Sequence, residues 1–364
     1  MLIEGLLCIV SLSPVRGPGP RATRLGAIAD TLGRRSRIAV LLARDHEDAA
    51  LSIKTLAARN ATGSIQAWEL PIEDHTPRFN QFRAHVYGLR RALEERHRWF
   101  FWMNDHTFVI AENLACYLSG LSRTEPVYAG LRLWGPCCGL FNSAAAGYAI
   151  NRAAVELLVR RWREIDAGET DEKCDPSSKK AQIALCLKKL GDVLPIDTRE
   201  ASGAERFHVY GPVRLATGAI DDWLVNKKKN IAPPEPFAAD ASAVSSGAIS
   251  FHYVAEKEHR LLDRIIRGDA SIDAATLEAA VVAVEVVHRA REVEHEAEHL
   301  RLRLRRAVLW RRLGAPFVHL PLARHPVDEP RLVQFAVGLP PLPRPLLGLR
   351  LAARQQHAEL LHLL

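Results

Sequence analysis

At 364 residues, 48% of them hydrophobic and 25% charged, the chain is long enough for one large domain or two ordinary ones and carries the apolar content of a buried core, which excludes a wholly disordered chain. A formal charge of +7 and a pI near 9.2 suit an anionic partner such as a nucleotide sugar, a membrane surface or nucleic acid, although much of the excess is arginine in the last third. The six cysteines, Cys8, Cys116, Cys137, Cys138, Cys174 and Cys186, show no paired C-x-x-C spacing, which argues against a zinc ribbon or a thioredoxin-like motif and leaves disulfides open.

The stretch from Leu2 to Leu12 is apolar but interrupted by Glu4 and far shorter than the ~20 residues of a membrane span. It reads as a buried first strand rather than a signal segment. Pro14, Gly17, Pro18, Gly19 and Pro20 then form a loop, helical spacing runs from Ala22 to Leu32, and Arg37 to Leu42 is a second apolar run. Strand, helix and strand in that order predict a parallel sheet, whose ligands bind beyond the carboxyl ends of the strands. The Ser11 to Pro20 loop is therefore either a nucleotide edge or a plain connection.

Apolar residues at Phe82, Val86, Leu89 and Leu93 predict an amphipathic helix from Phe79 to Arg96. It leads into Trp99, Phe100, Phe101 and Trp102, which read as a central strand ending at Met103, Asn104, Asp105 and His106. Thr107 to Leu121 reads as a short strand and a helix, and Pro126 to Gly130 as another strand. Ser143 to Ile150 is rich in small residues that let a ligand or a helix come close. Helices follow at Asn151 to Ile165 and Lys179 to Leu190, and after a Pro, Ala and Ser loop Ala248 to Val254 reads as a strand. Beyond Arg267 the composition changes. Residues 271–313 predict a long helix or helical hairpin, and 314–364 a Pro- and Leu-rich tail with an amphipathic end. Lys227, Lys228 and Lys229 read as a solvated loop, and His288, His295 and His299 as helix-surface histidines.

Several segments in one order carry a resemblance. Arg98 to Ile110 resembles a strand followed by an acidic metal motif of three aspartates, Thr, an aromatic and an aliphatic residue, and Glu112-Asn113-Leu114 continues it. Pro126 to Gly130 resembles a Pro-aromatic-Tyr-x-Gly strand, and Ser143 to Tyr148 a Ser-Gly-Gly-Ala-Gly-Tyr segment beside a donor site. Lys173-Cys174, Ile183-Ala184-Leu185 and Ser250 to Val254 follow, while Cys8, Val10, Pro14, Thr31 and Arg35 fit the opening strand and helix. Over roughly 260 residues, 2 to 267, the chain resembles the core 1 β-1,3-galactosyltransferase branch of glycosyltransferase family 31.

The resemblance implies an α/β GT-A domain over residues 1–270, Rossmann-like, with a mostly parallel central sheet flanked by helices and the helical region appended. It implies UDP-galactose as donor, Mn²⁺ to neutralise the diphosphate, and inverting transfer to the 3-hydroxyl of GalNAc on a glycoprotein, with no nucleic acid partner. Donor contacts map onto Pro14, Arg35, Asn104, Asp105, Ala145 and Gly147, and metal ligands onto Asp105, His106 and His252. The acidic triplet reads Asn104, Asp105, His106, so a single carboxylate is left, and His106 and His252 either ligate the ion or are polar strand-end residues that bind nothing. The position of the general base holds Gln182, whose amide cannot accept a proton at neutral pH, with Asp171, Glu172 and Asp175 upstream as possible substitutes or solvated loop charges. Expected cysteines are replaced by Ser36 and by Ala243-Val244. Gln182 to Leu187 also resembles the family's dedicated chaperone, which lacks the acidic triplet, whereas His252 resembles the enzyme. The alternative is thus a catalytically silent binding partner of an active galactosyltransferase, in a homo- or hetero-oligomer. The resemblance implies the Golgi or ER lumen, although no signal or anchor is visible in this chain.

Overall fold

The computed structural model describes residues 3–12, 21–43, 49–60, 63–70, 77–136, 138–176, 182–217, 220, 231–235 and 243–267. They fall in the first of two compact units, Met1–Glu292. Pro14, Lys227 to Lys229, the histidines at 288, 295 and 299, and the expected helix and tail after 271 lie outside the described residues.

In chain order the elements are β1 (Leu6–Ser11), α1 (Arg21–Asp30), a 3₁₀ turn (Leu32–Arg34), β2 (Arg37–Ala43), α2 (Ala49–Arg59), β3 (Ile65–Leu70), α3 (Pro77–Glu94) and β4 (Trp99–Asn104). Next come β5 (Phe108–Val109), α4 (Ala111–Ser119), β6 (Tyr128–Gly130), β7 (Arg132–Gly135), β8 (Gly139–Asn142), β9 (Tyr148–Asn151) and α5 (Arg152–Asp166). The described part closes with α6 (Ile183–Gly191), β10 (Phe207–His208), α7 (Pro212–Thr217), β11 (Ser250–Phe251) and α8 (Glu256–Ile266).

Six strands form the main sheet in the order β3-β2-β1-β4-β9-β6. β3, β2, β1 and β4 run parallel, with α1, α2 and α3 as their crossovers, and β9 is antiparallel to both β4 and β6. Every residue of β1 and β4 is buried. Strands covered on both faces have no solvent side to mark, which is why these segments are almost continuously apolar.

The alternation of side chains divides the core in two. Leu6, Cys8, Val10, Phe101 and Met103 pack with Leu25 and Ile28 of α1, while Leu7, Ile9, Phe100 and Trp102 pack with Val86 and Leu89 of α3 and with Val155, Leu158 and Trp162 of α5. α5 starts where it does because Asn151 caps it: its side-chain oxygen accepts from the Ala154 amide at 3.0 Å and from the Val127 amide at 2.9 Å.

Two smaller sheets flank the main one, β10-β11-β5 and the hairpin β7-β8. Cys174 and Cys186 form a disulfide that ties the loop before α6 to the helix itself. Cys8 is buried, and its sulfur lies 3.4 Å from the Ser36 hydroxyl.

Candidate functional site

Ser11 and Asn104 end β1 and β4 as register partners at the carboxyl edge of the parallel strands. The Ser11 hydroxyl lies 3.0 Å from Asn104 Oδ1 and 3.2 Å from the Met103 carbonyl, and the Asp105 amide donates to the Ser11 carbonyl at 3.2 Å. The chain then turns sharply, with the Thr107 amide donating to the Asn104 carbonyl at 3.0 Å. This turn delivers Asp105, His106 and Thr107 to the crevice end of the sheet, where open α/β folds bind ligands.

Thr107 is the hub of the turn. Its hydroxyl donates to the Ala145 carbonyl at 3.1 Å, accepts from the Asn104 amide at 3.3 Å, and lies 3.3 Å from His252 Nδ1. A hydroxyl has one proton to give, and Ala145 takes it, so Nδ1 of His252 carries the hydrogen and Nε2 holds the lone pair. Burial, reinforced by neighbouring His106, pushes the His252 pKa down to about 3, so the ring is neutral at physiological pH. The backbone at His252, one residue past β11, is fastened on both sides: the His252 amide donates to the His208 carbonyl at 3.0 Å, and the Val254 amide donates to the His106 carbonyl at 3.1 Å.

The rings of His106 and His252 meet edge to face, with centroids 5.8 Å apart. His259 of α8 lies behind Phe108, fully buried and neutral, with its pKa lowered to about 3 by burial and by His106. Beside His252, Tyr253 is half exposed and held at φ 58, and its ring centroid is 4.2 Å from that of the histidine. A left-handed tyrosine is strained, and such strain gathers at ligand sites.

Asp105 is completely buried and engaged by Arg24 of α1, whose Nε and Nη2 donate to Oδ2 at 3.1 and 2.7 Å. Its other oxygen is 3.6 Å from His106 Nε2, too far for a hydrogen bond. The expected ligands Asp105, His106 and His252 are therefore brought together, yet their arrangement does not fit a divalent ion such as Mn²⁺. The carboxylate is already paired with a guanidinium. Among the described residues no cluster of three His, Cys, Asp or Glu side chains could hold a metal.

Of the expected donor contacts, Asn104 and Ala145 join this turn. Gly147 sits behind it: at φ +83 a Cβ there would lie 2.7 Å from Phe101 Cζ and 3.0 Å from the Trp102 carbonyl, so glycine is required by the approach to β4. Arg35 is elsewhere. It follows the 3₁₀ turn at the amino end of β2, where it pairs with Glu112 at 2.7 Å and with Asp263 at 2.5 Å.

Gln182 caps α6 through its backbone, its carbonyl accepting from the Cys186 amide at 3.0 Å and its amide donating to the Lys173 carbonyl at 3.2 Å. Upstream, burial alone would raise the Asp171 carboxyl. Hydrogen bonds from Lys189 at 2.8 Å, from the Lys173 amide at 3.2 Å and from Arg161 at 3.2 Å outweigh it and hold Asp171 below its ordinary range, which makes it a weak base. Sequence reasoning missed Glu205, three residues before His208. Burial pushes its carboxyl up to about 8, in a network with Arg132, Asp197, Arg199 and Glu235. It also missed Arg24, which reads in sequence as an ordinary helix arginine.

No family model matches the chain. Over 188 residues, half of this chain, it is 28% identical to Glycoprotein-N-acetylgalactosamine 3-beta-galactosyltransferase 1 of Xenopus laevis, and it spans about half, 49%, of that relative. The mannosyltransferase PcManGT from Pyrobaculum calidifontis, solved with GDP-Man and Mn²⁺, superposes with a TM-score of 0.33 and 11% identity, covering 85% of this chain and 82% of that one. S. aureus TarS superposes with a TM-score of 0.34 and 10% identity, covering 86% and 93%. Overlaps this low carry no argument about function. The sequence match therefore stands as the finding, and it supports a relationship to glycosyltransferases across half of the chain.

Proposed function

We propose that the chain is a nucleotide-sugar-dependent glycosyltransferase of the GT-A type, which takes UDP-galactose and transfers galactose, with inversion, to GalNAc on a glycoprotein acceptor. The observation that carries this reading is the sequence match to a relative named as a glycoprotein-N-acetylgalactosamine 3-beta-galactosyltransferase, together with the polar turn 104–107 at the carboxyl edge of β1 and β4. Asn104, Ala145 and the turn around Asp105 line the donor crevice, and Tyr253 offers an exposed ring to a base or a sugar. Mn²⁺ is the ion the resemblance implies, and the donor set as it stands does not fit it. Gln182 cannot take the acceptor proton. Burial pushes the Glu205 carboxyl up to about 8, so it keeps its proton at neutral pH and is not a ready base. The setting proposed is the Golgi or ER lumen. Among the described residues no helix is long and apolar enough to cross a membrane.

Equilibrium binding of UDP to the purified chain, followed by transfer from UDP-galactose to a GalNAc-bearing peptide, tests the reading. Binding and transfer are expected, and a folded protein that binds no UDP with or without Mn²⁺ would refute it. A second reading, a silent partner that stabilises an active galactosyltransferase, is favoured by Gln182 in the base position and by the Arg24–Asp105 pair. In that case co-expression raises the soluble yield of the active enzyme while UDP-galactose is left intact. Unchanged yield would sink it.

A further inference from the structure

We propose that the cavity between α6 and the β7–β8 hairpin binds an acidic residue of the acceptor polypeptide, so that the chain selects acceptors by the charge that flanks the sugar-bearing residue. The inference rests on the glycosyltransferase reading above and narrows its acceptor class.

The cavity holds about 440 Å³. Pro136, in the turn of the hairpin, and Leu185 of α6 form apolar walls, and Lys173, Lys188 and Lys189 bring ammonium groups to it against the carboxylate of Asp192. Lys189 Nζ is held 2.8 Å from Asp171, a buried carboxylate that Arg161 also engages at 3.2 Å, so this lysine is anchored. Lys173 and Lys188 are exposed, and among the described residues neither ammonium has an ion pair or a hydrogen bond.

The frame that carries these charges is fixed. Cys174, next to Lys173, is joined by a disulfide to Cys186, in the same turn of α6 as Lys188 and Lys189, and the Gln182 amide donates to the Lys173 carbonyl at 3.2 Å. Ammonium groups gathered on such a frame, beside walls that exclude part of the solvent, attract an anion more strongly than the same groups spread over an open surface. Lysine presents a point charge rather than a planar fork, which suits a carboxylate on a flexible side chain.

Position says which carboxylate. Gln182 caps the amino end of α6, at the place the resemblance gives to the base beside the acceptor hydroxyl, and from there to Lys189 the helix rises about 10 Å. An extended polypeptide covers that distance in about three residues. An aspartate or glutamate about three positions from the glycosylated residue therefore reaches the cavity while the sugar lies at the amino end of α6.

The test is fluorescence anisotropy on the full chain with two labelled peptides, each bearing GalNAc on a threonine, one with glutamates about three residues to either side and one with glutamines there. Wild type, Lys173→Gln, Lys188→Gln and the double variant are compared, with thermal melting to report folding and UDP binding measured separately on the same samples. Wild type should bind the glutamate peptide about fivefold or more tightly than its twin, each single variant should lose about two- to fivefold of that preference, the double variant nearly all of it, and added salt should erode it. UDP binding should be the same in all four proteins. Lysines that serve only the end of α6 would lower the melting temperature on replacement and leave peptide affinity unchanged, and that result would overturn the inference. A wild type that binds UDP but holds the two peptides equally, or neither, would overturn it as well while leaving the nucleotide-sugar reading intact. A folded wild type that binds neither UDP nor either peptide would overturn both.

Discussion

Acid should weaken this fold through three imidazoles. His208, His252 and His259 are buried and neutral, each with a pKa of about 3, and burial is the leading cause in all three. In the unfolded chain each takes up a proton near pH 6.5, so their contribution to stability is complete above that pH and is lost as pH falls from 6.5 toward 3. Two carboxyls act in the opposite sense. Burial raises Glu205 to about 8 and Glu258 to about 7, so the folded state holds protons there that the unfolded chain releases, and stability declines as pH rises toward 8. Each proton of difference is worth about 1.4 kcal/mol per pH unit. Between pH 6.5 and 4.5 the unfolded chain gains three protons against two, a net slope of about 1.4 kcal/mol per unit. Below pH 4.5 the unfolded carboxyls also protonate and the slope steepens to about 4 kcal/mol per unit, against a total stability of about 5–15 kcal/mol for an ordinary domain. Urea unfolding at half-unit steps from pH 4 to 8.5 should give a maximum near pH 6 to 6.5. His208→Phe should remove one proton from the acid limb, and Glu205→Gln should flatten the alkaline limb. A stability that rises steadily from pH 5 to 8, or an acid limb unchanged by His208→Phe, would refute the argument.

Other changes have equally direct outcomes. Ser36→Cys should oxidise to a disulfide with Cys8, given the 3.4 Å contact and a separation of 28 residues, and should raise stability by about 3–4 kcal/mol, checked by thiol titration and urea unfolding. In the native wild type Cys8, buried and with its thiol pushed up to about 12, should resist alkylation while exposed Cys116 reacts, as peptide mass mapping would report. Gly147→Ala meets Phe101 at 2.7 Å with the backbone at φ +83, and should cost about 2 kcal/mol or more, read as a fall in the urea midpoint. Tyr253→Gly should relieve about 1 kcal/mol of backbone strain and at the same time weaken UDP binding if the ring is a ligand platform. Stabilisation without loss of affinity would leave the tyrosine no such role.

Much of the central sheet was legible because its strands are buried on both faces. The runs at Leu6 and Trp99 are apolar without alternation, and the helix at Val86 to Leu93 keeps its stripe. Residues 49–70 gave no such signal. β3 is an edge strand whose burial is irregular, and α2 exposes Leu51 and Ile53. Of the two-residue strands, β5 and β11 fall within the strands read at Thr107 onward and at Ala248 to Val254, whereas β10 is fixed by tertiary pairing and no local pattern announces it. At the site, motif order located the turn 104–107 and His252, but charge pairing was out of reach. Arg24 finds Asp105 across 81 residues, and Arg35, expected at the donor, is held by Asp263 across 228. Spacing along a chain reports which face a side chain takes, and it is silent about a partner so distant in sequence.

The Thr107 hydroxyl has a consequence for what the crevice can recognise. With its own proton committed to Ala145, it fixes the imidazole beside it as a lone-pair donor at Nε2, a setting that selects ligands by the hydrogens they offer. Replacing that one oxygen by a methyl group, as in Thr107→Val, would release the ring to invert its tautomer. The same histidine, unmoved, would then present a proton where it had presented an electron pair.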